Sequence, residues 1–173
     1  MTPEPVDLDE TFWDLKSLSD EEAEAAGEAA FHKEFITRQG RSGEIKAHDG
    51  ETVKFFAERY HHSFHTSHDR ARKAYSKAKV ARDRIARIRW IRPIIQGRVR
   101  GTECWEVPLK IPEEGLRPFP GKRLYVLWPE EYLIWLTPLK NGGFKFSTAY
   151  LVPPAEIGSY LTLATKIWSY GRE

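Results

Sequence analysis

The chain has 173 residues, which fits one domain or one domain with an attached segment and is too short for a barrel enzyme. Hydrophobic residues make up 40% of the chain and aromatic residues 13%, enough for a packed core, which argues against a wholly disordered protein. The single Cys excludes a disulfide framework and Cys-rich metal sites, and no apolar run approaches the roughly 20 residues of a membrane helix. Together with the lack of a secretory signal peptide, these features lead us to expect a cytoplasmic protein.

Charge is distributed unevenly along the chain. Residues 1–30 hold ten acidic residues against Lys16 alone, a net charge of −9. The remaining residues hold 26 of the 27 basic residues and 15 of the 25 acidic ones, a net charge of +11. This asymmetry predicts a basic body that binds a polyanion and an acidic segment that lies on it, either to compete with the polyanion or to dock through Trp13 for stability alone.

The first predicted element is a helix over residues 20–31. Ser19 and Glu22 have the spacing of a capping box at its start, and its inward positions are mostly Ala, which predicts weak packing. A linker with Gly and Ser follows at residues 39–43. We therefore expect two units, an acidic N-terminal helical arm at residues 1–43 and a second domain at residues 44–173.

Two short strands and one long helix are predicted next. Residues 44–48 and 53–60 have strand composition and flank the turn signal Asp49-Gly50. Over residues 67–89, apolar and small residues recur every three or four positions, which predicts an amphipathic helix. Twelve Lys or Arg and a single acidic residue lie between residues 70 and 100. This excess predicts a phosphate-binding face, with four residues as candidate RNA contacts: Lys73, Lys77, Arg84 and Arg87.

The last third of the chain has the composition of an antiparallel sheet. Period-two runs of β-branched and aromatic residues predict strands at residues 103–108, 123–128, 132–137 and 144–152, and their short connections favour antiparallel neighbours. Residues 155–170 are predicted to form a closing helix that docks through Trp168 and Tyr170. The expected fold class is α+β, with helices packed on one face of a four-stranded antiparallel sheet and an acidic N-terminal helical arm.

The most unusual segment holds four of the six histidines within eight residues: His61, His62, His65 and His68. One interpretation is a metal site, because His61 and His65 are one helical turn apart and Glu58 and Asp69 are nearby, although no His-Glu-x-x-His spacing occurs. A second is a polar helix face with one or two buried, hydrogen-bonded histidines. A third is metal-free cleavage of phosphodiester bonds.

Cleavage of RNA by its own 2′-hydroxyl needs a base, a cation on the phosphate and an acid for the leaving oxygen. The histidine segment and the basic helix supply candidates for the first two roles. His62 or His65 can act as the base, and Arg70 with Lys73 can hold the phosphate.

Hydroxyl groups for the third role occur in the last predicted strand. Thr148 and Tyr150 alternate onto one face of that strand and Ser147 onto the other. Thr and Tyr are common strand residues, so a purely structural role for them is equally consistent with the pattern.

Four stretches of sequence carry a resemblance to a known nuclease superfamily. They are Arg59-Tyr60-His61-His62-Ser63-Phe64, Trp90-Ile91-x-Pro93-x-Ile95-x-Gly97, Glu103-Cys104-Trp105-Glu106 and Phe146-Ser147-Thr148-Ala149-Tyr150. Together they resemble phage- and bacteria-associated nuclease domains of the barnase–EndoU–colicin–RelE-like superfamily, over residues 44–160. The acidic arm lies outside the resemblance.

The resemblance implies a small, metal-independent α+β ribonuclease of the kind that acts as a toxin of a phage or another mobile element. It implies no cofactor and no metal, with RNA as the substrate and a cognate inhibitor or immunity protein as a partner. Carried over by position, it marks His62 and Thr148 most strongly as catalytic residues, followed by His48, Arg70 and Tyr150.

Two alternatives come from other functional classes. A non-catalytic nucleic-acid-binding protein would use the basic face at residues 70–100, with Trp128 and Trp135 as stacking platforms for unpaired bases. A protein-interaction module would bind a basic partner through its acidic segment. The histidine cluster favours the ribonuclease, because binding alone has no need of His62.

Overall fold

The computed structural model describes residues 4–37, 40–66, 79–108 and 121–171. The helices in these ranges are α1 (Asp20–Phe35), α2 (Arg59–Ser63), α3 (Arg82–Ile85), α4 (Ile91–Ile95) and α5 (Pro154–Tyr160). The strands are β1 (Ser42–Lys46), β2 (Thr52–Phe56), β3 (His65–Thr66), β4 (Lys79–Val80), β5 (Thr102–Val107), β6 (Lys122–Leu127), β7 (Tyr132–Pro138), β8 (Phe144–Leu151) and β9 (Thr165–Ser169). Short 3-10 helices lie at Leu8–Thr11, Ile88–Trp90 and Trp128–Glu130. None of the helices described is both long enough and apolar enough to cross a membrane.

Within the described residues, the main sheet has seven strands in the order β1-β2-β8-β7-β6-β5-β9. The four predicted strands of the last third form its centre, and each pairs antiparallel with its neighbour. The pairing of β2 with β8 is parallel, so the sheet is mixed. The α+β class is confirmed, but the expected four-stranded antiparallel sheet is wrong.

Of the three additional strands, β1 and β2 form a local hairpin, whereas the pairings of β2 with β8 and of β9 with β5 join distant parts of the sequence. The β1–β2 hairpin joins the sheet because Val53 and Phe55 bury their side chains completely beside β8. The strand β9 forms where the sequence analysis predicted the second half of a helix. It pairs antiparallel with β5, and Trp168 packs on the larger hydrophobic core.

Alternate residues of β6 divide between two hydrophobic cores. Tyr125 and Leu127 belong to the larger core, to which α1, α3 and α4 contribute. Leu124 and Val126 belong to a smaller core, to which α5 contributes Ile157. Because successive strand residues point to opposite faces, helices cover both faces of the sheet, and the expected packing on a single face is wrong.

The helix α1 begins at the predicted cap and is packed more tightly than its Ala content predicts. The Ser19 hydroxyl accepts from the backbone of Glu22, whose carboxylate accepts from the backbone of Ser19, each at 3.1 Å. Phe31 is fully buried in the centre of the larger core. The centre of its ring lies within 6.2 Å of the ring centres of five other aromatic side chains: Phe35, Phe55, Tyr60, Phe64 and Phe146.

The predicted helix over residues 67–89 is found only in short pieces where the structure describes it. Residues 67–78 lie outside the described ranges, and residues 79–89 form β4, α3, a turn and a 3-10 helix. The guanidinium of Arg82 donates to the carbonyls of Leu15 and Leu18 at 2.6 and 2.7 Å. Contacts with the N-terminal segment therefore replace the continuous helix that the periodicity predicts.

The acidic N-terminal segment docks on α3 and on the residues that follow it. Arg82 pairs with Asp20 at 2.8 Å, and the guanidinium of Arg89 lies 5.0 Å from the ring centre of Trp13. The backbone of Trp13 donates to the carbonyl of Ala86 at 3.0 Å. Part of the charge asymmetry is thus neutralised within the chain.

The division into residues 1–43 and 44–173 stays a prediction. A deletion of residues 1–30 would also remove buried core residues.

Two helical glycines give a matched test of how closely α1 packs. A Cβ at Gly27 would lie 2.6 Å from the Tyr60 hydroxyl and 2.9 Å from Ile85 Cγ2, whereas a Cβ at Gly158 in α5 would meet open space. We expect Gly27→Ala to lower the free energy of unfolding by about 1–2 kcal/mol, because overpacking outweighs the gain in helix propensity. Gly158→Ala should raise it by up to about 1 kcal/mol. Urea denaturation measures both changes, and a shift of the same sign in the two variants would contradict the close packing.

Candidate functional site

The candidate site lies where α2 packs beside β8. The strand β2 pairs with the first two residues of β8, and α2, which follows β2 in the chain, packs against β8. Arg59 Nε donates to the carbonyl of Ser147 at 2.6 Å, and the buried Ser63 Oγ donates to Thr148 Oγ1 at 3.3 Å. We call Arg59, Ser63, Arg84, Thr148 and Tyr150 the α2–β8 cluster.

Arg84 of α3 joins the two halves of the α2–β8 cluster. Its Nη1 donates to the carbonyl of Ser63 at 2.8 Å, and its guanidinium lies 5.0 Å from the ring centre of Tyr150. A cation over an aromatic face is attracted by the ring quadrupole, so this contact fixes both side chains. The residues predicted from two distant parts of the sequence, Arg84 on one side and Thr148 with Tyr150 on the other, are therefore brought together.

The Tyr150 hydroxyl belongs to a short hydrogen-bonded chain. Trp135 Nε1 donates to it at 3.2 Å, and the Tyr160 hydroxyl lies 3.4 Å away. Tyr160 in turn donates to Glu156 Oε1 at 2.7 Å. Burial, followed by the hydrogen bonds to Tyr150 and Glu156, raises the pKa of Tyr160 above its ordinary value. Tyr160 therefore stays protonated and orients the Tyr150 phenol.

The strand register places Thr148 and Tyr150 on the same face of the sheet. They pair with Trp135 and Leu133, which are two residues apart on β7. Ser147 lies at an irregularity in the β7–β8 pairing, and its Oγ is 2.5 Å from Thr137 Oγ1. The Ser147 hydroxyl is therefore tied to the neighbouring strand.

His62 lies on α2, directly before the buried Ser63, and its own side chain is exposed. It is thus carried by the helix that contacts Thr148, at the solvent side of that helix. Among the candidate RNA contacts, Arg87 packs over the rings of Phe12 and Trp90 at 5.2 and 5.0 Å. Three of the predicted residues lie outside the described ranges: Arg70, Lys73 and Lys77.

His48 lies in a different cluster, at the tip of the β1–β2 hairpin. Its Nδ1 is hydrogen-bonded to the Tyr125 hydroxyl at 2.7 Å, and its ring stacks on Trp168 with a centroid distance of 4.3 Å. Burial lowers the pKa of His48 to about 4; the charge of Arg123 acts in the same direction, and that of Asp49 opposes it. His48 is therefore neutral near pH 7 and joins the hairpin to β6 and β9.

The low pKa of His48 predicts a loss of stability in acid. The unfolded chain binds a proton at this residue near pH 6.5, whereas the folded chain binds it only near pH 4, so acid favours the unfolded state. We expect the free energy of unfolding to fall by about 2–3 kcal/mol between pH 7 and pH 4 on account of His48. His48→Gln removes the titration while keeping a hydrogen-bond acceptor. Urea denaturation across this pH range should give a flatter profile for the variant, and identical slopes would contradict the assignment.

Glu24 of α1, His61 and His65 form a group that can hold a metal ion. The metal interpretation of the sequence named Glu58 and Asp69 as carboxylates, of which Asp69 lies outside the described ranges. Sequence reasoning missed Glu24 because no local pattern connects α1 to the histidine segment. It also missed Ser63, although the spacing of Tyr60, Ser63 and Phe64 places all three on one buried helix face.

Comparison of the chain with models of protein families, with curated proteins and with solved structures finds no match. The superfamily resemblance drawn from the four sequence stretches therefore stays a prediction.

Proposed function

We propose that the chain is a ribonuclease that cleaves RNA at the α2–β8 cluster by attack of a 2′-hydroxyl on the adjacent phosphate, with no metal in the reaction. The observation that supports this proposal is the meeting of Arg84, Thr148 and Tyr150 around Ser63, the residue next to His62. This arrangement combines an imidazole, fixed positive charge and hydroxyl donors within two short helices and one strand.

Each group in the proposed reaction has one role. His62 removes the proton from the 2′-hydroxyl, whose oxygen then bonds to phosphorus. Arg59 and Arg84 bring two permanent positive charges to the edge of β8, which stabilise the negative charge that develops on the phosphoryl oxygens. The Tyr150 phenol donates its proton to the 5′-oxygen as the phosphorus–oxygen bond breaks. The products are a 2′,3′-cyclic phosphate and a 5′-hydroxyl, and proton exchange with solvent restores His62 and Tyr150.

The ends of the cleaved RNA provide the decisive test. Purified protein is incubated with a labelled RNA in the presence of a chelator, beside the same oligonucleotide with 2′-deoxy sugars throughout. We expect cleavage of the RNA to 2′,3′-cyclic phosphate ends and none of the deoxy oligonucleotide. Products with 5′-phosphate ends, cleavage of both substrates, or intact RNA would each overturn the proposal.

A second candidate function is binding of single-stranded nucleic acid without cleavage. The observation that favours it is a row of cation–aromatic contacts beside the smaller core. Lys122 lies 5.8 Å from the ring centre of Trp135, Lys166 lies 5.8 Å from that of Trp105, and Arg84 lies over Tyr150. Partly buried aromatic rings with nearby cations provide stacking surfaces for bases and charges for phosphates. In this case Trp135→Ala should weaken RNA binding, the affinity should fall steeply with salt, and the RNA should remain intact.

A further inference from the structure

Two pairs of metal-ligating side chains face each other between α1 and the segment from α2 to β3. Glu24 and Glu28 are one helical turn apart on α1, and His61 and His65 are four residues apart. The ligand atoms of Glu24, His61 and His65 all lie within 4.8 Å of one another. Glu28 Oε1 is 3.9 Å from His61 Nε2. Three elements therefore bring Glu24, His61 and His65 together, and Glu28 adjoins this group through His61.

Small shifts of the side chains would give the ligand spacing of a bound metal: Glu28 would move towards His61, and Glu24 Oε1 and His65 Nε2, now 2.9 Å apart, would separate slightly. In a tetrahedral zinc site with bonds of about 2.0–2.2 Å, neighbouring ligand atoms are about 3.3–3.6 Å apart. The Glu24, Glu28 and His61 side chains are 37%, 45% and 59% exposed, so they can rotate inward without disturbing the core. His65 is 12% exposed and would be the fixed ligand.

The hydrogen bonds of His65 orient it as a metal ligand. Its Nδ1 lies 3.0 Å from the carbonyl of His61, and its Nε2 lies 2.9 Å from Glu24 Oε1. Both neighbours are acceptors, whereas a neutral imidazole has a single N–H. A cation between Nε2 and Glu24 satisfies both contacts, because Nδ1–H can then donate to the carbonyl. Metal-bound histidines characteristically donate their second N–H in this way.

The scaffold around the four ligands is held in place by its own contacts. The Tyr60 hydroxyl donates to the backbone carbonyl of Glu24 at 3.0 Å, which fixes α1 against α2. This contact depends on the close approach at Gly27. A site on elements that are already packed together loses little conformational freedom on binding.

We propose that Glu24, Glu28, His61 and His65 form a binding site for a divalent transition-metal ion of the zinc type, which joins α1 to α2 and β3. Imidazole and carboxylate ligands suit zinc, whereas magnesium and calcium prefer oxygen ligands alone. Two carboxylates and two neutral imidazoles also balance the charge of a divalent ion. The ion is structural and takes no part in the proposed cleavage reaction.

Calorimetric titration of the metal-free full chain with ZnCl₂ tests this proposal. We expect one saturable zinc ion per chain, a melting temperature that rises with the zinc concentration, and no such effect of MgCl₂. Glu24→Gln and His61→Ala should each weaken zinc binding by a factor on the order of 10² or more, because loss of an outer-shell group already costs 10 to 100-fold. Glu21→Gln and His32→Ala, on the same helix α1, are the matched controls and should bind zinc like the unaltered chain.

Circular dichroism of each variant in chelator confirms that it is folded before the titration is interpreted. His61→Ala is the safest variant, because the His61 side chain is more than half exposed. The proposal is overturned if the unaltered chain shows no saturable zinc binding, because a protonated His65 would then explain its contact with Glu24. It is also overturned if folded Glu24→Gln and His61→Ala bind zinc as tightly as the controls do. Since binding and melting are the readouts, this outcome is independent of whether the chain cleaves RNA.

Discussion

Replacing Asp49 by Asn should lower the free energy of unfolding by about 2–4 kcal/mol, because it leaves the charge of Arg123 buried without its partner. Arg123 is 8% exposed in β6, and its two terminal nitrogens donate to the two carboxylate oxygens of Asp49 at 3.1 and 2.9 Å. Burial acts to raise the pKa of Asp49, but the hydrogen bonds and charge of Arg123 outweigh it, so the pKa lies below its ordinary value. The carboxylate is therefore ionised near pH 7.

The pair Asp20–Arg82 provides a control with a similar oxygen–nitrogen distance and a different burial. Its oxygen–nitrogen distance is 2.8 Å, but the Asp20 side chain is 74% exposed, so Asp20→Asn should cost less than about 1 kcal/mol. Urea denaturation at pH 7 measures both variants. Equal decreases in the free energy of unfolding for Asp49→Asn and Asp20→Asn would show that burial does not decide the strength of the Asp49–Arg123 pair. Adding Arg123→Met to Asp49→Asn should recover part of the loss, because no buried charge then remains.

The centre of the sheet could be predicted from the sequence because its signals are local. The strands β5 to β8 are rich in β-branched and aromatic residues, and turn residues such as Asn141-Gly142-Gly143 separate consecutive strands. The start of α1 was equally local, since the capping box needs only Ser19 and Glu22. For these elements, interactions among residues close together in the sequence are enough to determine the structure.

The edges of the sheet could not be predicted in this way. The parallel pairing of β2 with β8 consists of two residue pairs from distant segments, and no turn or residue spacing in the sequence predicts this pairing. The sequence of β9 is also compatible with a helix. It forms a strand because it pairs with β5 and because its Trp168 stacks on His48. Tertiary contacts decided both cases.

The candidate site divides in the same manner. The shared face of Thr148 and Tyr150 follows from strand alternation, and the sequence predicted it. The contacts that connect this face to Ser63 and Arg84 join residues from three elements. The sequence predicts some of these residues from their chemistry, but whether they lie close together depends on how α2 and α3 pack against β8.

Replacing His62 by Ala should reduce RNA cleavage by a factor on the order of 10² to 10⁴, the usual contribution of a general base. The side chain is exposed, so its removal should leave the fold intact, and the charges of Arg59 and Arg84, which we propose to bind the phosphate, stay in place. We therefore expect the affinity for RNA, measured with an uncleavable 2′-deoxy analogue, to remain nearly unchanged while the cleavage rate falls. His32→Ala on α1 is the control for loss of an imidazole elsewhere and should cleave at the unaltered rate.

Rescue of the variant by free imidazole separates a base from a contact that only positions the substrate. Addition of free imidazole should restore part of the activity to the variant, because the cavity left by the side chain opens to solvent. Full activity in His62→Ala, or no response of the variant to imidazole, would show that another group removes the proton.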